Sequence, residues 1–161
     1  MDELTIINKL AAWIDRRKYP YQMCRCFIYG WECDYWAMDL NGETREFEIK
    51  ISRSDYLQDA KKEKHSLDRG ANYFYYVCPY NLIQPSEVRK GYGLIYIGEI
   101  IQIVKKPRAR HERKFSQWQI LANKYQGKWW DLWFSKYQRD EITFDEYVDG
   151  FKLEDIEAID T

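Results

Sequence analysis

Residues 45–64 read Arg-Glu-Phe-Glu-Ile-Lys-Ile-Ser-Arg-Ser-Asp-Tyr-Leu-Gln-Asp-Ala-Lys-Lys-Glu-Lys, and they change periodicity once. Phe47, Ile49 and Ile51 alternate with Glu46, Glu48, Lys50 and Ser52, which is the pattern of a strand with one apolar and one polar face. Tyr56, Leu57, Ala60 and Lys64 then recur at helical spacing, with Ser52 or Ser54 available as an N-cap and Asp55 in the first turn. The strand carries a carboxylate and an ammonium on one face, roughly 7 Å apart along the backbone. It then runs directly into a helix, so an acid and a base sit side by side at the end of a sheet.

The flanking segments supply the rest of that sheet. Leu4, Ile6, Ile7, Leu10, Ala11 and Ile14 form an apolar stripe, which predicts a helix over 2–18 with Asp2 as a possible cap and Pro20 beyond its end. Residues 21–29 and 32–40 read as strands separated by Gly30. Asn41-Gly42 marks a hairpin, so 43–51 is expected to run antiparallel to 32–40. Beyond the helix, 72–78 is a continuous aromatic and β-branched run, as a central buried strand requires. Pro79 ends it, 85–93 reads as a turn or short helix, and 93–97 with 100–105 read as a second hairpin around Gly98-Glu99.

From Pro107 the character changes. Residues 105–114 form a basic run, either a solvated connector or an arm that touches phosphates. Residues 115–138 are Trp-rich and helix-like, and 140–161 are acidic with a weak helical pattern. The expected organisation is a core over 1–106 and a C-terminal extension over 107–161 packed on it.

A chain of 161 residues is long enough for one full core. A net charge of −1 provides no global field for a polyanion, so any such site must be a local patch. No apolar run is long enough to span a membrane and no leader pattern opens the chain, so a cytoplasmic protein is expected. Cys24, Cys26, Cys33 and Cys78 lack zinc-site spacing and read as reduced, mostly buried thiols.

The chemistry concentrates at the hairpin. With the turn centred on Asn41-Gly42, Asp34 falls near residue 49, beside Glu48 and Lys50. Two carboxylates converging next to a backbone carbonyl make a hard-oxygen site suited to Mg²⁺ or Mn²⁺, which can polarise a phosphodiester. An adjacent Lys50 can stabilise growing negative charge. The competing reading is a solvated Glu-x-Lys pair on a wet strand face.

Asp34, followed by Glu48-Ile49-Lys50 on the next strand, a helix and an aromatic strand, resembles the PD-(D/E)XK nuclease superfamily. The longer run from Glu48 to Lys61, with 73–79 and the Gly-Leu-Ile strand at 93–97, resembles its MmcB-like DNA-repair branch. The resemblance spans roughly the middle half of the chain, a longer and more specific match than a three-residue motif. It implies a restriction-endonuclease-like α/β core: a helix, a strand meander, a crossover helix and a further strand in a mixed central sheet flanked by helices, here with additional C-terminal helices. It implies metal binding by Asp34, Glu48 and the Ile49 carbonyl, catalysis by Asp34, Glu48 and Lys50, and Mg²⁺-dependent hydrolysis of DNA. Ser52, Asp55, Asp59 and Lys61 match branch positions that can equally be caps and ion pairs. Cys33 replaces the superfamily's name-giving Pro, and Gln58, a further candidate supporting residue on the helix, lacks the following Tyr of exonuclease-like relatives. Lys61, Lys62 and Lys64 on the helix, with Arg108, Arg110 and Arg113 in the basic run, are the expected phosphate contacts, while His65 reads as a surface residue. Two other functions are open: a DNA-binding module with little catalysis, and an interaction protein that docks through the Trp-rich segment.

Overall fold

In the computed structural model, which describes residues 1–67, 69–112, 118, 121–122, 124–128 and 131–132, the strands join into one mixed sheet of order β1-β2-β3-β4-β5-β6. The elements are α1 (Glu3–Trp13), β1 (Tyr21–Ile28), β2 (Trp31–Met38), β3 (Thr44–Ile49), α2 (Arg53–Asp59), a single 3-10 turn (Glu63–His65), β4 (Tyr73–Pro79), β5 (Gly93–Ile97) and β6 (Ile101–Lys105). β1, β2 and β3 form an antiparallel meander. The chain then crosses over through α2, and β4 pairs parallel to β3, β5 parallel to β4 and β6 antiparallel to β5.

The period-two pattern sorts the two sheet faces. Tyr35, Ala37, Phe47, Ile49, Val77, Ile95 and Ile97 pack with Ile6, Ile7, Leu10 and Ile14 of the α1 segment. Phe74, Tyr76, Cys78, Leu94 and Tyr96 point the other way and pack with Tyr56 of α2 and with Ile83, Val88 and Tyr92 of the β4–β5 connection. Glu46, Glu48 and Lys50 share this second face by alternation. The apolar register of β3 therefore dictates which side its charges occupy.

Both helices are shorter than their sequence patterns. Asp2 caps α1 by accepting the Thr5 N–H at 2.8 Å, but the helix stops at Trp13, and Ile14 is already extended. Ser52 caps α2 through the Asp55 N–H at 3.2 Å, and the helix ends at Asp59, so Lys61, Lys62 and Lys64 lie beyond it. The β2–β3 loop also differs by one residue. Asp39 N–H donates to the Glu43 carbonyl, Gly42 N–H donates to the Asp39 carbonyl, and Gly42 sits at φ +77°. Leu40, Asn41 and Gly42 thus form a three-residue loop closed by a left-handed glycine, where a two-residue loop was expected. The resulting register pairs Tyr35 with Phe47. Continued by one residue, it sets Asp34 across from Glu48, where a loop centred on Asn41-Gly42 would set it across from Ile49.

The chain divides into two compact units, Met1–Gln117 and Trp118–Thr161. The basic run stays with the first unit because its backbone is tied to the sheet ends. Arg108 N–H donates to the Gly91 carbonyl at 2.9 Å and Arg110 N–H to the Asn72 carbonyl at 2.8 Å. Asn72 Nδ2 donates to the His111 carbonyl at 2.7 Å. In the second unit the described residues are helical. Most of the Trp-rich segment, the acidic tail and Arg113 lie outside the described residues. Among the described residues no helix is long and apolar enough to cross a membrane. Cys26, Cys33 and Cys78 are buried and in no disulfide, and Cys24 is exposed.

Candidate active site

The polar face of β3 is not wet. Glu46, Glu48 and Lys50 are all buried, because α2 and the 3-10 turn fold back over them and supply Asp59, Lys64 and His65. Glu48 is gripped at both oxygens: Lys50 Nζ lies 2.8 Å from Oε1 and Lys64 Nζ 2.7 Å from Oε2. Both ammoniums also face Asp59 Oδ1 at 3.6 Å, and Lys62 Nζ reaches the same oxygen at 2.9 Å. Asp59 Oδ2 accepts the Tyr76 hydroxyl at 2.9 Å and lies 2.9 Å from His65 Nε2, while His65 Nδ1 meets the Tyr92 hydroxyl at 2.9 Å. His65 is therefore a buried link between Asp59 and Tyr92, a correction to its expected place on the surface.

Asp34 approaches from β2. Beyond the Tyr35–Phe47 pair its carboxylate enters the ladder and accepts the Ile49 N–H at 2.7 Å. In an extended strand a residue's N–H and C=O leave by the same edge, so the Ile49 carbonyl shares that edge with Asp34. The neighbouring strand is distorted at the same level. The β1–β2 register places Arg25 opposite Asp34, and Arg25 sits at φ +47°, a left-handed conformation that costs a non-glycine residue energy.

The electrostatics follow from burial. Burial, then Glu48, pushes the Asp34 carboxyl up to about 6, against the Ile49 N–H and Lys50. Glu46 is pushed up to about 7 by burial, with Lys64 and the Trp31 N–H opposing. Asp59 is held well below the carboxylate range: burial works against its charge, but His65, Lys64, Lys62 and Lys50 together outweigh it. Lys50 and Lys64 are raised, since Glu48 and Asp59 offset the cost of burying an ammonium.

The structure thus brings Asp34, Glu48, Ile49 and Lys50 together. Asp55 joins them, 3.5 Å from Lys50 with a side chain 45% exposed, and so opens the network to solvent. Asp59 is its buried hub, and Ser52 is the α2 cap. Gln58 and Lys61 are exposed and outside it. Among the expected phosphate contacts, Lys61, Lys62 and Arg108 are exposed. Arg110 is partly buried, its guanidinium 4.5 Å from the Tyr92 ring centre. Lys64 turns inward onto Glu48, so it is not available to a phosphate at the surface; the early end of α2 is what redirects it.

Sequence reasoning passed over Glu46. Its Oε1 accepts the Trp31 indole N–H at 2.9 Å, while its buried Oε2 has no hydrogen-bond partner. It shares strand parity with Glu48 and Lys50, which is a legible signal, but its burial depends on the folding back of residues 53–65.

Among the described residues no group of three or more His, Cys, Asp or Glu side chains could hold a metal ion. The donors present are two carboxylates and one carbonyl. That set matches in kind a hard cation such as Mg²⁺, which commonly uses one or two protein carboxylates and completes its shell with water and substrate oxygens. Glu48 would have to give up one ammonium to join it.

No protein-family model matches this chain, and no curated protein sequence matches it. Among solved structures it is similar to a protein of unknown function from Silicibacter pomeroyi, at 16% identity and a TM-score of 0.55, over 76% of this chain and 83% of that one. The likeness concerns the fold.

Proposed function

We propose that the protein is a nuclease-fold enzyme that hydrolyses phosphodiester bonds in DNA with Mg²⁺ or Mn²⁺. The single observation that carries this reading is the insertion of Asp34 into the edge of β3 at Ile49, between Glu48 and Lys50. The element order supports it: helix, antiparallel meander, crossover helix and parallel strand follow one another as the sequence resemblance implies. A bound divalent ion would supply positive charge that polarises the phosphodiester. Asp34, Glu48 and the Ile49 carbonyl would hold it. Lys50, held charged by Glu48, Asp55 and Asp59, stabilises negative charge as it develops on the phosphoryl oxygens. The substrate approaches where Asp55 meets solvent, and Lys61, Lys62 and Arg108 provide exposed positive charge for its backbone.

Purified protein should cleave DNA only with Mg²⁺ or Mn²⁺. Lys50→Ala should lower the rate by about 100-fold or more while circular dichroism stays unchanged. Metal-dependent cleavage that survives Lys50→Ala would remove the assignment. A second reading is supported by the grip of two ammoniums on Glu48, which is also what a structural ion-pair network looks like. In that case the fold binds DNA without cutting it, and salt-dependent binding would persist with no cleavage under any metal.

A further inference from the structure

We propose that Lys64 is a built-in counter-cation that occupies Glu48 until a divalent ion displaces it, and that Glu46 receives it when it leaves. This rests on the metal-site reading above and assigns a role to a residue outside the Asp34, Glu48 and Lys50 set. Lys64 comes from the 3-10 turn and places its ammonium 2.7 Å from Glu48 Oε2, the oxygen that Lys50 does not use. A cation joining Glu48 through that oxygen must meet this ammonium first. The displaced ammonium has somewhere to go: Asp59 Oδ1 is already 3.6 Å away and Glu46 Oε1 4.0 Å away. Glu46 Oε2 is buried with no hydrogen-bond partner, so this carboxylate has an unused acceptor beside the lysine. Passing from one buried acid to the next leaves the ammonium with an oxygen partner throughout.

Equilibrium binding of Mn²⁺ alone, followed by electron paramagnetic resonance, tests this without any cleavage assay. Lys64→Met should bind Mn²⁺ about tenfold more tightly than the unaltered protein, whereas Lys64→Arg and Arg53→Met should stay within about threefold of it. Arg53 removes a positive charge from the adjacent helix without touching Glu48, so it measures the general field. Glu46→Gln should weaken binding by about threefold in the unaltered background and leave it unchanged in Lys64→Met. An equal loss in both backgrounds means that Glu46 acts through its field alone and overturns the exchange. Lys64→Gln, which keeps an N–H donor toward Glu48, replaces Lys64→Met should that variant not fold. In the unaltered protein, Mg²⁺ should shift the Lys64 ammonium resonance, assigned with Lys64→Arg; no shift at saturating Mg²⁺ also overturns the proposal. Mn²⁺ binding that Lys64→Met leaves unchanged would sink Lys64's role and spare the site. Absence of binding in every variant would sink both.

Discussion

At the scale of single residues, the unusual feature is that a run of strand charges is buried and still largely satisfied. Breaking such a network is costly because each removed partner leaves a charge that water cannot reach. The network also gives stability a sign with pH. Glu46, pushed from 4.5 up to about 7, keeps its proton in the folded protein where the unfolded chain has lost it. Its contribution is complete below pH 4.5 and disappears as pH rises through 7. Asp34, raised from 3.8 up to about 6, acts in the same direction. Lys50 and Lys64 are raised from 10.5 and so contribute no slope here, and Asp59, lowered from 3.8, matters only on the acid side. Urea denaturation should therefore show maximal stability near pH 4 and a loss toward pH 8, with Glu46 contributing on the order of 3 kcal/mol. Glu46→Gln should remove about half of that loss; an unchanged pH profile would show that Glu46 does not titrate in this range.

At the scale of elements, the parallel pairing of β4 with β5 depends on one missing side chain. Gly93 pairs with Tyr75, and a Cβ at Gly93 would lie 2.5 Å from the Tyr75 ring and 3.1 Å from the Lys105 carbonyl. The ring lies over the glycine, and Tyr75 in turn stacks on Phe47 at 5.2 Å between ring centres. Gly93→Ala should cost about 1–3 kcal/mol by overpacking. Gly98, in the β5–β6 turn, has its nearest neighbour at an ordinary 3.7 Å. Gly98→Ala is thus the control, expected within about 0.5 kcal/mol of the unaltered protein in the same denaturation experiment. Equal effects at the two glycines would contradict the packing account.

At the scale of the whole molecule, the first unit contains both layers that its sheet needs. The α1 segment covers one face, and α2 with the β4–β5 connection covers the other. The candidate site lies on the α2 face, at the end of β3, so it too is built from residues 1–117. A chain ending at residue 117 should unfold in one cooperative transition. Hydrogen exchange should be slowest at Val77 and Ile95, which are buried on the adjacent central strands β4 and β5. A broad, non-cooperative transition would show that this unit depends on the remainder of the chain.

Much of this was legible in order along the chain. Alternation in residues 45–52 assigned Glu46, Glu48 and Lys50 to one face, and the change of period after Ser52 located the crossover, because side-chain direction in a strand or helix is a local property of the backbone. Three decisions lay outside that periodicity. The loop closed by Gly42 set Asp34 across from Glu48; the early end of α2 turned Lys64 inward; and packing of residues 53–65 on the sheet buried charges that would otherwise face solvent. The loop is closed by hydrogen bonds within residues 39–43 and a left-handed glycine, which alternation does not reveal, whereas the burial of the charges depends on contacts between distant segments, and periodicity carries no information about which segment will arrive to cover a face.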